Sequence, residues 1–98
     1  MTMYSLGTWT VSAGRAEDFV RAWQELADNT KRDFPDATAT LLRDHDKPNV
    51  FVSFGPWESL QQIEQWRGSD AFKQGVAKIR ELLEGFEPHT MDRVGGVE

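Results

Sequence analysis

Apolar residues recur along this chain in two rhythms, one alternating and one helical. From Met3 to Val11 the run MYSLGTWTV is rich in Tyr, Thr, Trp and Val and carries no charge. Aromatic and β-branched residues fit a pleated surface, so this run predicts a strand. Met3, Ser5, Gly7, Trp9 and Val11 fall on one face, and Tyr4, Leu6, Thr8 and Thr10 on the other. With neither face charged, both are expected to be covered. Ser12-Ala13-Gly14 breaks the strand. A helix is predicted from about Arg15 to Arg32, with Phe19, Val20, Trp23, Leu26, Ala27 and Thr30 along one side. Glu17 and Asp18 in its first turn and Lys31 and Arg32 in its last suit the helix dipole, and Pro35 ends it.

Ala37 to His45 alternates weakly and predicts a second strand. Asp46-Lys47-Pro48-Asn49 reads as a turn, and Val50 to Phe54 as a third strand closed by Gly55-Pro56. Glu58 to Arg67 is a short helix with Leu60, Ile63 and Trp66 on one side, interrupted by Gly68. Ser69 is an N-cap for a further helix, Asp70 to Glu84, which repeats Phe72, Val76, Ile79, Leu82 and Leu83 at helical spacing. Gly85 is expected as its C-cap. Glu87 to Val94 reads as a last strand, and Gly95 to Glu98 as a frayed tail.

The order β-α-β-β-α-β is that of a ferredoxin-like α+β fold with an antiparallel sheet, a single domain over residues 1–98. Helices would cover one sheet face. The other face, with Tyr4, Leu6, Val50 or Phe51 and Met91, needs cover too, and a second copy of the same sheet supplies it. A homodimer with the two sheets face to face, a dimeric α/β barrel, is therefore expected.

Composition narrows the partners. A chain of 98 residues holds one small core, which association would help to stabilise. A net charge of −5 argues against nucleic acid and against anionic membranes. The absence of cysteine excludes disulfides, thiolate metal sites and cysteine nucleophiles. The opening MTMYSLGTWTV has neither a basic n-region nor a long apolar stretch, so a cytoplasmic location is expected. There is no P-loop, no G-x-G-x-x-G and no G-x-S-x-G. Asp33, Asp36, Asp44 and Asp46 match no calcium-loop spacing, and two histidines far apart in sequence lack metal-ligand spacing. No metal and no cofactor are expected.

The segment Trp57-Glu58-Ser59-Leu60-Gln61-Gln62-Ile63-Glu64-Gln65-Trp66-Arg67-Gly68-Ser69-Asp70-Ala71-Phe72 resembles the hallmark stretch of the antibiotic-biosynthesis monooxygenase family. In that family a Trp follows the third strand, a second aromatic closes the short helix, and a Ser-Asp/Pro-x-Phe step opens the long helix. Gly14-Arg15-Ala16-Glu17-Asp18-Phe19 is similar as well, and the resemblance spans roughly residues 3 to 94. One branch of the family degrades haem with a strand Asn, a Trp at the end of the short helix and an axial His. This chain keeps the Trp as Trp66 but has Gly7 and Val76 at the other two positions, so haem degradation is not expected. Other members resemble cofactor-free monooxygenases of polyaromatic or quinol-type compounds, in which the substrate anion supplies the electrons to O₂. The resemblance thus implies a slot for a small planar hydrophobic substrate. The alternative is a non-catalytic dimeric module that binds a small hydrophobic ligand.

Trp66 heads the candidate residues, as a wall on which a planar substrate stacks; the competing account is packing of a short helix. Trp9 and Trp23 would bound the same slot, with Ser5 and Gly7 leaving room beside Trp9, and Phe72 and Val76 would complete the lining. Two indoles filling a small core, with Gly7 admitting a helix, is the plainer account. His45 and His89 are weak candidates for a base on a phenolic proton, against simple exposure at strand ends. Arg43, Arg67 and Arg93 are candidate partners for a substrate carboxylate or oxyanion, against salt bridges across a dimer interface.

Overall fold

The computed structural model describes residues 2–98. Four strands and three helices run in the order β1 (Met3–Val11), α1 (Ala16–Asp33), β2 (Thr40–Arg43), β3 (Val50–Trp57), α2 (Leu60–Arg67), α3 (Asp70–Arg80) and β4 (Leu83–Asp92). The strands form one antiparallel sheet in the order β2-β3-β1-β4. This is the ferredoxin-like α+β fold, with the second helical element divided at Gly68.

Strand β1 lies at the centre. Its odd-numbered residues Ser5, Gly7, Trp9 and Val11 are buried beneath the helices, while Tyr4, Leu6, Thr8 and Thr10 are half-buried on the opposite face. Cross-strand pairing carries that division outward. Phe51 pairs with Trp9 and joins the helix-covered side, whereas Val50, Val52 and Phe54 pair with Thr10, Thr8 and Leu6 and join the open one. The core is built from Trp9, Val11, Phe19, Trp23, Leu26, Phe51, Val76, Ile79 and Leu82. Helices α1 and α3 approach closely at Gly75, where a Cβ would lie 2.6 Å from Leu26 Cδ1 and 3.1 Å from its Cβ. Gly14, at φ 77°, makes the turn out of β1, a conformation that costs glycine little.

Several boundaries differ from the sequence reading. Strand β2 is four residues long rather than Ala37 to His45. At its far end the Asp44 carboxylate accepts hydrogen bonds from Asp46 N and Lys47 N, at 2.8 and 3.0 Å, and turns the chain out of the sheet. At its near end Thr38 lies against Gly55, where any Cβ would run into the Thr38 carbonyl oxygen. Strand β3 does not stop at Phe54 but continues through Gly55 and Pro56 to Trp57. Proline is compatible with this position because β2 pairs with β3 only as far as Phe54, so Pro56 has no ladder partner in β2. Helix α3 ends at Arg80 rather than Glu84, and Gly85 lies inside β4 opposite Thr10 instead of capping a helix. A register shift between Thr10 and Val11 accommodates that early start. Strand β4 ends at Asp92, so Arg93 is not a strand residue.

Candidate functional site

Between α1, the α2–α3 corner and the covered sheet face lies a cavity of about 270 Å³. Ser5, Gly7, Trp9, Trp23, Trp66 and Phe72 all line it. The sheet supplies the floor through the inward side of β1. Gly7 leaves a gap that its neighbours occupy: a Cβ there would stand 3.2 Å from both Phe86 Cε1 and Trp9 Nε1, and 3.3 Å from Ser53 Oγ. The glycine therefore makes room for side chains on β3 and β4, not for a helix.

Three indoles are held by three hydroxyls. Trp9 Nε1 donates to Ser53 Oγ at 2.9 Å, Trp57 Nε1 to Ser5 Oγ at 3.0 Å, and Trp66 Nε1 to Thr30 Oγ1 at 2.9 Å. Each bond satisfies an indole donor that would otherwise be costly to bury, and each fixes a ring plane. Ring contacts extend the order. Trp9 stacks on Phe86 with centroids 4.1 Å apart, Trp57 lies 5.1 Å from Trp66, and Trp66 meets the edge of Phe72 at 4.7 Å. The α2–α3 corner sets the last pair. Ser69 Oγ donates to the Trp66 carbonyl at 2.6 Å and accepts from Phe72 N at 3.3 Å, so one capping serine orients both aromatic residues.

Five sequence candidates lie elsewhere. Val76 is 5% exposed within the core between α3 and its neighbours and does not line the cavity. His45 sits in the exposed β2–β3 turn, 3.3 Å from the Asp46 carboxylate. His89 pairs with Leu6 and so faces away from the helices, 3.7 Å from Glu87. Arg43 donates to the Pro48 carbonyl and stacks 5.3 Å over Phe51, and Arg93 pairs with Glu98. Of the candidate arginines Arg43, Arg67 and Arg93, Arg67 alone borders the cavity.

Other lining residues were not assigned a role from sequence. Trp57, Ser53, Phe86, Thr30, Asp28 and Lys31 also line the cavity. Asp28 is its one acidic residue. The signal for Ser53 and Phe86 lay in strand register, which sets Ser53 opposite Gly7 and Phe86 opposite Trp9. Among the described residues no group of three His, Cys, Asp or Glu is placed to hold a metal, and no helix is long and apolar enough to cross a membrane.

A split βαβ sheet with one helix-covered face and an aromatic cavity beneath the helices defines a class of small α+β proteins. The sequence profile of the antibiotic biosynthesis monooxygenase family matches residues 2–78, and the chain belongs to that family. No curated protein matches. Among solved structures the chain is similar to SnoaB, a cofactor-independent oxygenase from Streptomyces nogalater, with a TM-score of 0.86, 21% identity and coverage of 98% of this chain and 96% of that one. It is similar to a conserved protein from Methanosarcina mazei Go1, with a TM-score of 0.83 and 15% identity over 93% and 91% of the two chains. A protein from Shewanella oneidensis aligns at a TM-score of 0.80 with 17% identity, over 92% and 88%. At such identities these likenesses establish the fold.

Proposed function

We propose that this chain is a cofactor-independent monooxygenase that takes a small, planar aromatic or quinol-type substrate between the indoles of its cavity. The observation that carries the reading is the set of three indoles, each pinned by a hydroxyl, around one space of about 270 Å³. A rigid aromatic slot of that size suits a fused-ring compound at the small end of ligand pockets. In the reaction the ionised substrate gives electrons to O₂. A ring CH₂ becomes C=O, one oxygen atom enters the product, and the other leaves as water with the two hydrogens. The protein's part is to desolvate the ring, hold its plane and stabilise the anion. Membership of the family and the likeness to a cofactor-independent oxygenase support this reading.

The test is oxygen uptake by the purified chain with an anthrone, whose central ring carries the CH₂, and no added cofactor. Turnover above the spontaneous rate is expected. Asp28→Asn should lower it by about 10²-fold or more if that carboxylate takes the substrate proton. Saturable binding with no oxygen uptake would instead favour the non-catalytic binding module.

A further inference from the structure

Arg67 is an anomaly among the cations of this chain. Of its 11 Lys and Arg residues, it alone is withdrawn from full exposure. Among the described residues no carboxylate lies within 4.0 Å of it, although the chain carries a net charge of −5. Its partners are neutral: Nη1 donates to Thr90 Oγ1 and Nη2 to the His89 carbonyl, each at 2.7 Å. Among the described residues only two of the five guanidinium N–H groups are engaged in this way. Burial without a countercharge also pulls its pKa below the ordinary arginine value. Arg67 borders the cavity directly beside Trp66. The charged residues of the lining are Lys31, Arg67 and Asp28, so the cavity is locally positive on an acidic protein.

A half-buried cation left without a countercharge is a cost to the folded chain unless something else supplies one. We propose that Arg67 is the anion-recognising residue of this cavity, binding a carboxylate or an ionised phenolic or enolic oxygen on the edge of a planar ligand seated against Trp66. The inference rests on the cavity being a small-molecule site and adds a ligand charge and the residue that reads it. The β4 tethers at His89 and Thr90 hold the guanidinium plane in place, so its orientation does not depend on the ligand.

Calorimetric titration of the intact chain with three probes tests this: 2-naphthoate, its neutral amide 2-naphthamide, and 2-naphthol on either side of its own ionisation. The acid should bind at least about tenfold more tightly than the amide, as a charge-assisted bond requires. Added salt should weaken the acid and leave the amide unchanged. The ratio of acid to amide affinity should fall to near one in Arg67→Gln and persist in Arg67→Lys. Tighter binding of naphthol once ionised would show that a phenolate serves as well as a carboxylate; a preference confined to naphthoate would restrict the site to carboxylates. Equal binding of acid and amide by the wild type, or a preference that survives Arg67→Gln, would overturn the inference and leave the slot standing. If no probe binds, the small-molecule reading itself fails and takes the inference with it. Because the wild-type ratio and its salt dependence need no variant, an unstable Arg67→Gln does not blunt the test.

Discussion

Three of the four indoles lining the cavity, those of Trp9, Trp57 and Trp66, are each held by a hydroxyl from a different element, which makes single residues informative. Trp66 is half-buried, donates to Thr30 and contacts Trp57 and Phe72, so it is both wall and packing. Trp66→Phe keeps an aromatic ring, smaller than the indole, and removes one hydrogen bond. It should cost about 1 kcal/mol and leave ligand affinity largely intact. Trp66→Ala removes the wall. Full burial would make that loss about 3–5 kcal/mol, and partial exposure should bring it to the lower end. Urea unfolding with a naphthalene-ligand titration beside it separates the two roles: a large stability loss with unchanged affinity would mean that Trp66 only packs. The same scale governs haem. Val76 is sealed in the core, and Gly7 has no side chain to offer a bound diatomic. Added haem should therefore give no His-ligated Soret band and no breakdown with ascorbate and O₂, as an absorbance spectrum will report. Stoichiometric degradation would contradict that placement.

At the scale of elements, periodicity was a sound guide to type and a poor one to ends. Strand β1 and the stripe of α1 were legible because their apolar positions repeat over many residues. The end of α3 was not, because Leu82 and Leu83 continue the helical stripe while the backbone has already turned: Leu82 N bonds to the Ile79 carbonyl, and Ser12 N to the Leu82 carbonyl. Adjacent leucines serve a helix or a strand equally well, and only pairing with β1 decides between them. The cavity was partly legible for the same reason. Aromatic residues that stand out on single elements were visible, but Phe86 and Ser53 matter through register, which a sequence states only indirectly. Gly75 shows a further limit. It sits inside a helix, where glycine weakens local structure, yet it admits Leu26. Gly75→Val should force α1 and α3 apart and lower stability by about 1–3 kcal/mol, measured by thermal unfolding. A neutral or stabilising result would mean that the helices can move without loss.

Taken whole, the molecule covers one sheet face and leaves the other. On that open side Leu42 and Met91 are 52% and 41% exposed, beside half-buried Tyr4, Leu6, Val52 and Phe54. We expect a second copy of the chain to cover such a surface, since a sheet of the same twist can pack on itself about a two-fold axis. Sedimentation at micromolar concentration should then give about twice the 11.2 kDa mass of one chain, and replacing Leu42 with Asp should shift the population toward monomer. A wild-type chain that sediments as a monomer would rule out the barrel. The two prolines of the sheet have a consequence for how copies can meet. Pro56 lies where β3 runs past the end of β2, and Pro88 lies on β4, the outermost strand on the other side. Neither can donate a hydrogen bond to an incoming strand, and β2 itself is only four residues long. Both flanks of the sheet are thus poor templates for ribbon-like growth. In the dimer expected here, contact would be steered onto the broad face, where a symmetric pair closes on itself, and away from the open-ended stacking that ends in fibrils.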